Sequence, residues 1–183
     1  MSDILNKFSN LKEFSQTLRH EIRMFYVFDD YLGKNYFYFT SDDQCFAFGF
    51  NFYGCLGFGH NISVEEPKNI PELSHKHIID LYKGFNFMIG RTSRNEIYTW
   101  GQNEHGQLGL GFKSFANDFI KPERNEYLSG KQIIDISCGY RHSIALTSNG
   151  KVFGWGDNSR GQVGCQIKDS IIDKPVNLIS LSR

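Results

Sequence analysis

The chain has 183 residues, with 20 Lys plus Arg against 20 Asp plus Glu and a sequence pI near 7.0. Zero net charge leaves no basic footprint for nucleic acid and no polybasic patch for an acidic membrane surface. The longest apolar run, Met24 to Phe28, is far too short to cross a bilayer, so neither nucleic acid nor membrane is expected as a partner.

Residues 1–22 place Ile4, Phe8, Leu11, Phe14 or Ser15, Leu18 and Ile22 at helical spacing, with Asp3 available as N-cap, and predict an amphipathic N-terminal helix. Asp3, Lys7, Lys12 and Glu13 interrupt the apolar stretch that a secretory leader needs. Cys45, Cys55, Cys138 and Cys165 show no CxxC spacing. Four cysteines allow two disulfides, but the spacing fits reduced, buried thiols in a cytoplasmic or nuclear protein better.

From residue 23 to 183 the chain repeats itself. Residues 45–59 read CFAFGFNFYGCLGFG, 97–111 read IYTWGQNEHGQLGLG, and 152–166 read VFGWGDNSRGQVGCQ. The shared frame is aromatic-x-aromatic-Gly-x-Asn-x-x-Gly-x-aliphatic-Gly. Its glycines are Gly49, Gly54 and Gly57, then Gly101, Gly106 and Gly109, then Gly156, Gly161 and Gly164. Upstream, Thr40-Ser41, Thr92-Ser93 and Thr147-Ser148 recur 52 and 55 residues apart. Prolines 67, 122 and 175 mark a further shared point, and the pairs Gly84-Phe85 and Gly139-Tyr140 another.

These intervals define units at about 23–59, 77–111 and 132–183. Ile134, Ile136 and Cys138 alternate with Asp135 and Ser137, as do His142, Ile144 and Leu146 with Ser143, Ala145 and Thr147. A period of two signals strands, and Asn149-Gly150 between two of them signals a tight hairpin. Each unit is thus a meander ending in a glycine loop, where recurrent glycine points to left-handed backbone or crowded neighbours. A sheet this small cannot bury both faces, so neighbours must stack, and a radial stack is a propeller. The expected class is all-β, an open propeller of about three four-stranded repeats.

No pattern carries chemistry. Gly106 to Gly111-Phe112-Lys113-Ser114 approximates a phosphate-binding loop, but Phe112 is one residue too many and no parallel strand leads in. His75 and His77 lack further metal ligands beside them. Cys138 reads as a core thiol, His142 as a buried, hydrogen-bonded ring between strands, and the acidic pairs as turn residues. Neither catalysis nor a cofactor nor a metal is expected.

The third unit resembles the repeat of the regulator-of-chromosome-condensation family. Ile134-x-Ile136-x-Cys138-Gly139-x-x-His142-x-x-Ala145-Leu146 leads into Gly150-x-Val152-x-x-Trp155-Gly156-x-Asn158-x-x-Gly161-Gln162-Val163-Gly164. An earlier unit departs from it, with Phe87 for His and Gly90-Arg91 for Ala-Leu. The resemblance implies a seven-bladed ring that three units cannot complete, and Pro175-Val176-Asn177-Leu178 read as the lead-in to a fourth unit. Self-association through open edges is therefore expected. It also implies a protein-binding module of an adaptor or ubiquitin-ligase-associated protein, closest to the BTB-linked members. Its determinants should lie in variable loops such as 60–75 and 112–130. The alternative it implies is guanine-nucleotide exchange on a small GTPase.

Overall fold

The structure, a computed structural model, describes residues 21–29, 32–115, 118–165 and 167–178. The helix expected over residues 1–22 lies outside them except for its last two residues, and Ile22 already belongs to the first strand.

Twelve strands form three antiparallel sheets of four, each a meander in chain order. The first contains β1 (Ile22–Asp29), β2 (Lys34–Thr40), β3 (Cys45–Gly49) and β4 (Val64–Asn69). The second contains β5 (Ile78–Lys83), β6 (Phe87–Thr92), β7 (Ile97–Gln102) and β8 (Phe119–Arg124). The third contains β9 (Ile133–Cys138), β10 (His142–Thr147), β11 (Val152–Asp157) and β12 (Ile171–Leu178).

The recurring threonines set the hairpin between the second and third strands. The Oγ1 atoms of Thr40, Thr92 and Thr147 accept from the backbone N–H of Gln44, Glu96 and Lys151 at 2.9, 3.0 and 2.9 Å. Asp43, Asn95 and Gly150 then take the left-handed turn position at φ 64°, 60° and 78°. Pro67, Pro122 and Pro175 all sit in the fourth strand, the sheet edge, where a missing N–H breaks no interior ladder.

Alternation gives each sheet two faces, and adjacent sheets pack face to face at two junctions. Phe37 and Phe39 meet Ile78, Met88 and Trp100 in one core. Phe87 and Ile89 meet Ile133, Ala145 and Trp155 in a second. Side chains from facing sheets thus make each core, one per junction. The first strands β1, β5 and β9 lie against one another, which gives the sheets the wedge arrangement of propeller blades. The architecture is an all-β, open propeller of three blades.

Candidate protein-interaction surface

The glycine loops link the third strand of each blade to the fourth. One asparagine holds each loop closed. Oδ1 of Asn51, Asn103 and Asn158 accepts from the N–H of Leu56, Leu108 and Val163 at 2.9, 3.0 and 3.2 Å. Their amide nitrogens donate across the loop to carbonyls of His60, Phe112 and Ile167. This clamp directs the loop backbone through left-handed geometry, with φ of 68° at Gly54, 68° at Gly106 and 74° at Gly161.

The loop of one blade also receives the next blade. Trp100 Nε1 donates to the carbonyl of Cys55 at 2.7 Å, and Trp155 Nε1 to that of Gln107 at 2.8 Å. A Cβ on Gly106 would stand 2.6 Å from the Cα of Asp173, and one on Gly57 would press on Pro122 and Trp100. Gly54, Gly57, Gly106 and Gly109 therefore face the junctions, whereas a Cβ on Gly49 or Gly101 would meet backbone of its own blade at Asn35 or Asn86. In the third blade, Gly161 and Gly164 keep positive φ but have nothing within 4 Å.

Gly139 and His142 act together differently. Gly139 leaves room for the His142 ring, which a Cβ would strike. His142 is only half-buried, unlike the enclosed ring that its strand position suggests, because the outer side of the third blade has no further sheet over it among the described residues. Phe87 covers Gly84 in the same way in the second blade, and there the next sheet buries it completely.

With the frame consumed in packing, the exposed apolar side chains mark the surface that packing leaves uncovered. Eleven large hydrophobic residues are exposed among the described ones. Ile79 and Ile134 lie on first strands and Tyr127 on a link between blades, which leaves eight. All eight are at one end of the blades. Leu32 and Tyr140 sit on first-to-second-strand loops, and Phe50, Phe52, Ile62, Phe112, Phe115 and Ile167 on the connections that contain the glycine loops. Segment 60–63 and residues 112–115 and 118 thus share this end, whereas 70–77 and 125–132 belong to the opposite one.

Aromatic rings join the blades here. Tyr53 lies 4.7 Å from Phe85, and Phe85 stacks on Tyr140 at 4.0 Å, so the row spans all three sheets. The Arg141 guanidinium lies 5.2 Å from the Tyr140 ring centroid. Its Nη1 donates to His105 Nε2 at 3.2 Å, which leaves the His105 proton on Nδ1. Burial and the Arg141 charge hold this imidazole below its ordinary 6.5. Burial opposes ionisation of Asp157, but hydrogen bonds from Ser159 and the nearby His105 and Arg141 bring its carboxyl below the usual value. The pair Gly139-Tyr140 was visible as a recurring signal in the sequence; the partnership of Arg141 with His105, 36 residues away, was not.

The remaining candidates are accounted for by local structure. The loop at Gly106 to Ser114 is a repeat loop, closed by Asn103. His77 pairs with Asp43 at 3.2 Å and His75 with Gln44, and no group of three metal-ligating residues occurs among the described residues. All four cysteines are free. Burial raises the Cys45 thiol well above its ordinary range and pushes that of Cys138 to about 12, so neither is an activated nucleophile.

The regulator of chromosome condensation (RCC1) repeat matches residues 42–87, 94–146 and 149–183. A second description of the same repeat matches residues 78–107 and 133–162. The human E3 ubiquitin-protein ligase HERC2 is 32% identical over 126 residues, 68% of this chain and 2% of that protein. The ultraviolet-B receptor UVR8 of Arabidopsis thaliana is 35% identical over 125 residues, 68% of this chain and 28% of the receptor. Among solved structures, Prp20p of Saccharomyces cerevisiae superposes with a TM-score of 0.71 at 21% identity, over 93% of this chain and 41% of that one. Human WBSCR16 superposes with a TM-score of 0.63 at 22% identity, over 79% and 37% of the two chains. The chain spans well under two thirds of the length of each.

Proposed function

The chain belongs to the regulator of chromosome condensation repeat family, and from that premise we propose that it is a non-enzymatic protein-binding module of an adaptor or ubiquitin-ligase-associated protein. The observation that carries this reading is the gathering of exposed apolar side chains at the glycine-loop end, eight of the eleven among the described residues. Apolar side chains exposed together at one end, mixed with polar groups, fit a protein-recognition site. The kinship with HERC2 supports the ubiquitin-ligase setting, and the free thiols support a reducing compartment, cytoplasm or nucleus.

The test compares the chain with a variant carrying Phe112→Ser, Phe115→Ser and Ile167→Ser in cross-linking mass spectrometry from living cells. Proteins cross-linked at the glycine-loop end of the native chain should disappear with the variant. Cross-links that persist, or that fall on the 125–132 side, would sink the assignment of this end.

The second reading is guanine-nucleotide exchange. It is favoured by the superposition on Prp20p, whose structure was reported with its binding to Gsp1p. Release of labelled GDP from a panel of small GTPases decides between them. A module has no effect, and an exchange factor accelerates release catalytically.

A further inference from the structure

We propose, building on the protein-binding reading above, that the Tyr140–Arg141 corner of the glycine-loop end docks a partner segment bearing a carboxylate beside an apolar side chain. The apolar half of this recognition is preformed. Tyr140 is 54% exposed, and its ring is held by Phe85 stacked at 4.0 Å. A ring already fixed loses little freedom when a Leu, Ile or Phe settles on it, so more of the contact energy appears as affinity.

The charged half follows from the partners that Arg141 has and lacks. Its guanidinium is occupied by an aromatic ring and a neutral imidazole, and the Asp157 carboxylate, near enough to feel its charge, makes no ion pair with it among the described residues. Lys83 stands at the same end with its ammonium donating to the carbonyls of Gly84 and Phe85 at 2.9 and 3.1 Å. A basic segment would meet Arg141 and Lys83 as like charges. An acidic one gains a charge-assisted bond to Arg141.

Panning a phage-displayed dodecapeptide library on the full chain, followed by anisotropy titration of the enriched peptides, tests this. Enriched sequences should share an Asp or Glu next to Leu, Ile or Phe. Arg141→Gln and Tyr140→Ser should each weaken them about tenfold or more, the loss expected for one charged hydrogen bond or one ring contact. Tyr127→Ser, at the opposite end, should leave them unchanged. Melting curves separate lost binding from lost folding, and the exposed Tyr140 makes its variant the safer control. Peptides without an acidic residue, or insensitive to both substitutions, overturn this docking chemistry while the module reading stands. A library from which nothing enriches on the native chain over the double variant overturns both.

Discussion

Gly106 and Gly161 occupy the same place in successive repeats and have φ of 68° and 74°, yet their surroundings differ. A side chain in left-handed geometry costs about 1–2 kcal/mol on backbone grounds alone. At Gly161 nothing else is added, because the space around it is open. At Gly106 a Cβ would also stand 2.6 Å from backbone of the next blade. Gly161→Ala should therefore cost about 1–2 kcal/mol and Gly106→Ala roughly 3 kcal/mol or more, through strain plus crowding. Urea titrations of the two variants measure the difference, and equal losses would refute a junction role for Gly106. A second residue-scale effect concerns His105, whose folded-state pKa is depressed below 6.5, first by burial and then by Arg141. The unfolded chain takes up that proton first as pH falls, so stability is complete above 6.5 and declines below it until the folded value is passed. His105→Gln should flatten part of the fall in melting temperature between neutral and mildly acidic pH. An unchanged profile would show that His105 does not contribute.

Strands and loops were unequally legible in the sequence. The second and third strands of the third blade alternate over Ser143 to Thr147 and flank Asn149-Gly150, so their pairing could be read directly. The fourth strands could not. VEEPKN and FIKPER show charge and proline where a strand interior would show apolar residues, because an edge strand needs only one apolar position and tolerates proline. Their recurrent prolines marked only a shared point: 64–69 and 119–124 fell between the expected units, and Pro175 to Leu178, expected to lead into a fourth unit, instead belongs to the fourth strand of the third blade. The tryptophans were legible as frame residues but not as junction elements, since the acceptors at Cys55 and Gln107 lie 45 and 48 residues upstream. The ring row and the Arg141–His105 pair were hidden for the same reason: blade stacking makes neighbours of residues that no local pattern links. Removing one indole N–H leaves a buried carbonyl unpaired, at a cost of about 1–3 kcal/mol. Trp100→Phe and Trp155→Phe should each lose stability of that order, as chemical denaturation followed by circular dichroism would show. A pair of neutral variants would mean that apolar contact alone holds the blades together.

The three blades are not equivalent as a molecule. Phe87 and Ile89, on the outward side of the second blade, are fully buried by the third. Their counterparts His142 and Ile144, with Leu146 beyond them, are only half-buried. The acceptor that corresponds to Cys55 and Gln107 is the carbonyl of Gln162, and both tryptophans of the chain are already engaged at the inner junctions. The third blade thus presents an apolar sheet face, an open glycine loop and a carbonyl in the arrangement that receives a neighbour twice elsewhere in this structure. Apolar surface in that state favours association, whatever supplies the covering layer. The 183-residue chain in isolation should therefore self-associate through the outer face of β9 to β12, and its sedimentation coefficient should rise with concentration. Placing charge on that face tests the location. Ile144→Glu with Leu146→Lys should shift the chain toward monomer while leaving its two inner cores, and so its cooperative unfolding, largely intact. A native chain that sediments as one monomeric species at every concentration would show that the half-buried face of the third blade is stable against water on its own.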